Sequence, residues 1–262
     1  MGISVVINTY NAEKYLEAVL ESVKTFDEVV ICDMYSNDRT LEIAKKYRCK
    51  IVFHEQTGIV EPARNFAIQS ASNEWVLLID ADEIVTDALK LFLYDWINAP
   101  HSMAVAIRIP RKNFFMGRFM HADYPNYLVR FFRKDVVEWP SYVHAHPVIS
   151  GEIYTIQRKH KKLAFIHLAN DSVKQTIAKF NTYSDRELER RKNRHYSLLL
   201  YMGEVFYRFF KFYILKGGFR DGRAGLAYSS IMACYKILTI LKVWESHLQT
   251  EDYDEELKKY IS

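Results

Sequence analysis

The chain has 262 residues, 49% hydrophobic and 26% charged, with a formal net charge of +4. This composition excludes a disordered or fibrous protein and is long enough for one large domain with an appendage. The charge is mild and its basic residues concentrate late in the chain, which points to an anionic surface and away from nucleic acid.

Met1 to Ile7 runs straight into a strand-like pattern and is read as structure rather than a leader. Ile3 to Ile7 is a β-branched run ending at Asn8-Thr9-Tyr10-Asn11, and Ala12 to Val23 places Leu16, Val19, Leu20 and Val23 at helical spacing. The loop between them offers a hydroxyl, an amide and a ring face to a nucleoside, although such loops also serve simply as turns. Glu28 to Cys32 is a second strand. Asp33 closes it, where a carboxylate can accept from an imide N–H such as that of uracil or thymine. Asp38 and Thr40 are N-cap candidates for the next helix. Lys50 to His54 completes β-α-β-α-β, the nucleotide-binding half of a doubly wound sheet.

Pro62 suits the first turn of a helix running to Ala71. Arg64 on that turn opposes the helix dipole, so it suits a phosphate or a neighbouring carboxylate; an exposed surface arginine is the alternative. Trp75 to Ile79 is a continuous apolar run fit for a strand buried on both faces, with Asp80 and Asp82 at its carboxyl end, where ligands collect in open α/β sheets. Two carboxylates one residue apart can share a hard divalent cation, Mg2+ or Mn2+. Capping of the next helix is the plainer use.

Leu89 to Ile97 reads as a helix, Val105 to Ile109 as a strand, and Arg111 to Arg133 as an aromatic and basic region. From about Asn170 helical periodicity takes over. The boundary is placed near Ile166, giving an α/β domain over 1–165 and a helical extension over 166–262. From Phe206 to Lys216 rings alternate with cations, which suits either an anionic membrane surface or a helix packed on the catalytic domain. Leu226 to Trp244 is an apolar helix interrupted by Lys236. No run of about 18 uninterrupted apolar residues is present, so no conventional spanning helix is expected. Cys32, Cys49 and Cys234 lack metal-ligand spacing and are expected as free thiols in a reducing compartment.

Thr9-Tyr10-Asn11, Asp33 with Ser36, Asp38 and Thr40, Gly58 with Arg64-Asn65, and Asp80-Ala81-Asp82-Glu83 follow an order and spacing that resembles the family two glycosyltransferases of GT-A fold. Among these the chain most resembles the lipopolysaccharide core β-1,4-glucosyltransferase group, to which Gly217 to Gly225 and Lys242-Val243-Trp244-Glu245 are also similar. The resemblance implies a Rossmann-like sheet with helices on both faces. It implies nucleobase and ribose contacts at Thr9 and Asp33, with Tyr10 and Asn11 in the same donor loop. Arg64 would meet the base or pyrophosphate, and Asp80 and Asp82 the ribose and the metal.

The chain departs from the family pattern twice, with Asn126 where an Asp is usual and Ala145 where a Glu is usual. Inverting transfer needs a base for the acceptor hydroxyl, and the candidates left are Asp123, His144 and His146. The expected activity is metal-dependent transfer of a hexose from a UDP-sugar to a lipid-linked or lipopolysaccharide-core acceptor, peripherally at the cytoplasmic face of the inner membrane. One alternative is a sugar nucleotidyltransferase, which would want a glycine-rich phosphate loop that Asn8 to Asn11 does not supply. The other is an inactive nucleotide-binding membrane scaffold.

Overall fold

Four apolar runs form β1 (Ile3–Thr9), β2 (Glu28–Asp33), β3 (Lys50–Phe53) and β4 (Trp75–Asp80), paired in parallel in the order β3-β2-β1-β4. The crossovers carry α1 (Glu13–Val23), α2 (Thr40–Lys46) and α3 (Glu61–Gln69). Helices cover both faces, so β1 and β4 are apolar without alternation. On one face Val5, Ile7 and Leu77 pack with Leu16, Val19 and Leu20 of α1. On the other, Val6, Val30 and Leu78 pack with Ala63, Ala67 and Ile68 of α3. This computed structural model describes residues 1–56, 61–99, 103–140, 146–169, 172–248 and 256–260.

The sheet continues through β5 (Glu83–Ile84), β6 (Ala106–Lys112), β9 (Asn126–Arg133), β12 (Ile153–Thr155) and β13 (Phe165–His167), with α4 (Asp87–Asn98) after β5. The full order is β3-β2-β1-β4-β9-β6-β13-β5, with β12 also on β6. Beyond β4 the sheet is mixed, because β9 runs antiparallel to both β4 and β6. Two short pairs stand apart, β7 (Phe114–Phe115) with β8 (Arg118–Phe119) and β10 (Val137–Glu138) with β11 (Val148–Ile149). The β6/β9 ladder steps from Ile107 opposite Phe131 to Arg108 opposite Val129, which leaves Arg130 as the extra residue of a β-bulge.

The chain forms two compact units, Met1–Asn113 with Tyr124–Ala169, and Phe114–Asp123 with Asn170–Ser262. The second contains α5 (Val173–Arg191), which opens on a Ser172/Gln175 capping box, α6 (Leu198–Phe210) and α7 (Gly222–Ser246). Within it α7 packs on α5 and α6, with Trp244 Nε1 donating to the Tyr196 carbonyl at 2.8 Å and Lys242 paired with Asp185. Gly225 is required here: a Cβ would collide with the Gly218 carbonyl.

Three expectations change. The N-cap of α2 is Arg39, without a side-chain cap. Asp38 instead accepts from the amides of Thr40 (2.9 Å) and Glu13 (3.1 Å), and the Thr40 hydroxyl accepts from Ala12 N (2.8 Å), so these side chains stitch two loops together. Second, Lys236 does not interrupt α7. It is buried, 3.9 Å from Glu204 and with its ammonium 5.3 Å from the Tyr196 ring centroid. Third, the 29-residue span Gly218–Ser246 contains an 18-residue window of mean hydropathy 1.4, which is long and apolar enough to cross a membrane by length and composition alone. Its apolarity does not come as an uninterrupted run, and Ser229, Lys236 and Thr239 are buried along it, as in a helix packed by neighbours. The three cysteines are unpaired, as expected.

Candidate functional site

β1 and β2 end side by side with Thr9 opposite Asp33. Asp33 is fully buried: Oδ2 accepts from Thr9 Oγ1 (2.7 Å) and Ser36 Oγ (2.6 Å), and Oδ1 from Ser36 N (2.8 Å). Asn11, at φ 50°, donates its backbone N–H to Ser36 Oγ (2.9 Å) and accepts from Asn37 N (2.9 Å). The Asp33 carboxylate, expected to meet a base, is thus turned inward and shapes the platform from beneath. Tyr10 and Tyr35 face outward, and Tyr35 stacks on Phe53 with centroids 5.6 Å apart.

At the end of β4 the charges are dense. The bulge aims Arg130 out of its apolar strand, and its Nη2 donates to Asp80 Oδ2 at 2.6 Å. Arg64 Nη2 donates to Asp80 Oδ1 at 3.3 Å, and Arg111 Nη1 stands 3.9 Å from Oδ2. Burial alone would push the Asp80 carboxyl up; the guanidiniums of Arg130, Arg64 and Arg111 outweigh it and hold the group below the usual carboxylate range. Glu83 is fully buried, accepts from Asp80 N at 3.0 Å and from Arg111 Nη1 at 2.9 Å, and so closes the turn.

Asp82 faces elsewhere. Its Oδ2 lies 3.2 Å from His167 Nε2, while His167 Nδ1 lies 3.0 Å from Asn113 Oδ1. The imidazole is thus held from both of its nitrogens, by Asn113 on one side and Asp82 on the other. An imidazole held through one nitrogen is a usual metal ligand through the other. Among the described residues no group of three His, Cys, Asp or Glu is assembled for a metal. Asp82 and His167 are the pair that would hold a divalent ion at this turn. Asp80, expected to share that ion, has both oxygens engaged by guanidiniums.

Beside Arg64 and Arg130 opens a cavity of about 570 Å³, bordered also by Arg108, Tyr127, Trp139 and His146. Trp139 is fixed by Asn65, whose amide donates to the Trp139 carbonyl (2.8 Å) and accepts from its N–H (2.9 Å). The Arg64 guanidinium lies 5.3 Å from the Trp139 ring centroid.

Residues 4–155 match the model of glycosyl transferase family 2. The chain belongs to that family. An uncharacterised glycosyltransferase of Rickettsia conorii is 28% identical over 268 residues, covering 95% of this chain and 92% of its own. LpsC of Rhizobium meliloti, a lipopolysaccharide core biosynthesis glycosyltransferase, is 26% identical over 263 residues, 94% of this chain and 93% of its own. The crystal structure of S. aureus TarS 1–349 in complex with UDP is similar over 95% of this chain and 93% of that one, at 18% identity and a TM-score of 0.45. Family membership retires the nucleotidyltransferase alternative, and the sheet with its helical extension is the expected GT-A architecture.

The three base candidates of this glycosyltransferase separate. His146 borders the cavity with Arg64 and Arg130. Asp123 lies in the second unit and accepts from the Tyr228 hydroxyl, whose pKa is pushed up by burial and by the Asp123 charge. His144, like Gly58, lies outside the described residues. The charged cluster at the end of β4 also contains residues to which the sequence assigns no role, namely Glu83, Arg111, Arg130 and His167. Arg130 had a signal: a lone cation between Val129 and Phe131 in an apolar strand is a buried charge seeking a partner. His167 had a weaker one, a polar side chain ending the strand Phe165–His167.

Proposed function

We propose that the protein is an inverting, metal-dependent hexosyltransferase that moves a sugar from a uridine nucleotide-sugar to a lipid-linked or lipopolysaccharide-core acceptor. The observation that carries this is the Asp80–Glu83 turn at the end of β4, ringed by Arg64, Arg111, Arg130 and His167. The nucleoside rests on the platform of Thr9, Tyr10, Asn11 and Asp33. Asp82 and His167 hold Mg2+ or Mn2+, which when bound offsets charge growing on the departing diphosphate. Asp80 and Glu83 keep Arg64 and Arg111 oriented in advance, so no reorganisation is needed as that charge develops. His146 takes the proton of the acceptor hydroxyl. A relative named for lipopolysaccharide core biosynthesis supports the acceptor class. Incubation with individual radiolabelled nucleotide-sugars and Mn2+ is expected to show slow hydrolysis of one uridine donor. Inertness toward every donor, with UDP still bound, would favour the inactive scaffold.

Attachment at the cytoplasmic membrane face is part of this proposal. No residue of α6 is buried, and Leu198, Leu199 and Phe206 are 71%, 82% and 67% exposed. Arg208, Lys211, Lys216, Arg220 and Arg223 follow within or just after this helix. An apolar helix face bordered by cations suits an anionic leaflet, where each basic residue adds about 1 kcal/mol. Wild type is expected to sediment with anionic liposomes at low salt and to be released at high salt, and a variant with Ala at Arg208, Lys211 and Lys216 to sediment poorly. Equal sedimentation of the two, or none by wild type, removes the assignment.

A further inference from the structure

The sheet order sets direction. The nucleoside platform ends β1 and β2, the Asp80–Glu83 turn follows β4, and β9 and β6 lie beyond β4 on the opposite side from β1. A donor lying across β2, β1 and β4 delivers its sugar toward β9. There the cavity of about 570 Å³ opens, within the roughly 300–1,000 Å³ of small-ligand sites.

Its chemistry is one-sided. Arg64, Arg108, Arg130 and His146 border it, and none of its described lining residues is acidic. Asp80 engages one nitrogen of Arg130, which is 5% exposed; the other, Nη1, is buried with no hydrogen-bond partner among the described residues. Arg108, the residue that pairs next to the bulge, is exposed on β6. Neutral hydroxyls do not call for such a set, whereas guanidinium forks match the paired oxygens of carboxylate and phosphate. Tyr127, half-buried at the cavity, adds ring surface against which a saccharide can lie.

We propose that this cavity is a subsite for an anionic group, a carboxylate or a phosphate, carried by the acceptor saccharide and gripped by Arg108 and Arg130. Assignment to the acceptor rests on the transferase reading above; the preference for an anion does not. The test is calorimetric titration of glucose 6-phosphate, glucuronate and glucose into the full chain, alone and saturated with UDP and Mn2+, using wild type, Arg108→Ala and Arg108→Lys. One acidic sugar is expected to bind at least roughly tenfold more tightly than glucose, in line with hydrogen bonds to charged groups. That binding should survive saturation with UDP, fall about tenfold in Arg108→Ala and recover in part in Arg108→Lys. Which acidic sugar binds tells phosphate from carboxylate.

Equal affinity for all three sugars, or no change in Arg108→Ala, overturns the proposal. Displacement of the acidic sugar by UDP also overturns it, since the cavity would then belong to the donor diphosphate. Failure of UDP to bind would sink the transferase reading alone, because the anion comparison is also made without UDP.

Discussion

Asp82→Ala is expected to lower sugar transfer at least ~100-fold at saturating donor, acceptor and Mn2+. The substitution takes from His167 its carboxylate partner and, on the proposed function, removes a hard oxygen ligand just where charge builds on the diphosphate. Folding should be little disturbed, because the Asp82 side chain is 30% exposed and its His167 partner 22%. Thermal denaturation is the control and initial rates across a Mn2+ series the readout. A variant as active as wild type, or a wild type indifferent to excess chelator, would show that no metal acts through this carboxylate.

Asp80→Ala acts through stability as well as rate. It removes the acceptor of Arg130, whose guanidinium has almost no access to water. Stranding a buried charge costs about 3–5 kcal/mol; since the Asp80 side chain is itself 35% exposed, screening puts the loss nearer 2–3 kcal/mol. The pH dependence has a definite sign. A carboxyl held below its unfolded value of about 3.9 stabilises the fold fully above that pH and loses its contribution as pH falls through the lower folded value. Urea unfolding should therefore separate wild type from Asp80→Ala at neutral pH, with the gap narrowing below about pH 4. Indistinguishable midpoints at pH 7 would mean that Arg130 finds other compensation.

The parallel half of the sheet is legible from sequence because its central strands β1, β2 and β4 leave largely apolar runs, and because each of these three ends in a polar residue that marks the carboxyl edge. Asp80 and Asp82 stand out for that reason. Their division of labour does not, since it depends on partners far along the chain: Arg130 is 50 residues from Asp80, and His167 is 85 from Asp82. The orientation of Asp33 is hidden for another reason. Its inward orientation follows from the Thr9 register and from Ser36 folding back beneath it, neither of which leaves a trace in composition. Asp123 and Asn126 are near neighbours in sequence yet fall in different units, and only the three-dimensional clustering of Phe114–Asp123 with the helices reveals it.

The bulge in β9 has a wider meaning. Val129 and Phe132 pack on the same face of the sheet while Phe131 packs on the other, which is the arrangement a regular ladder would give if position 130 were skipped. Arg130 is thus supernumerary: both apolar faces keep their occupants with or without it. Such a position is free to be gained or lost without disturbing the core, so a lineage could acquire or discard this cation, and the reach it gives to Asp80 and the cavity, by a single-residue insertion or deletion in an otherwise unchanged scaffold.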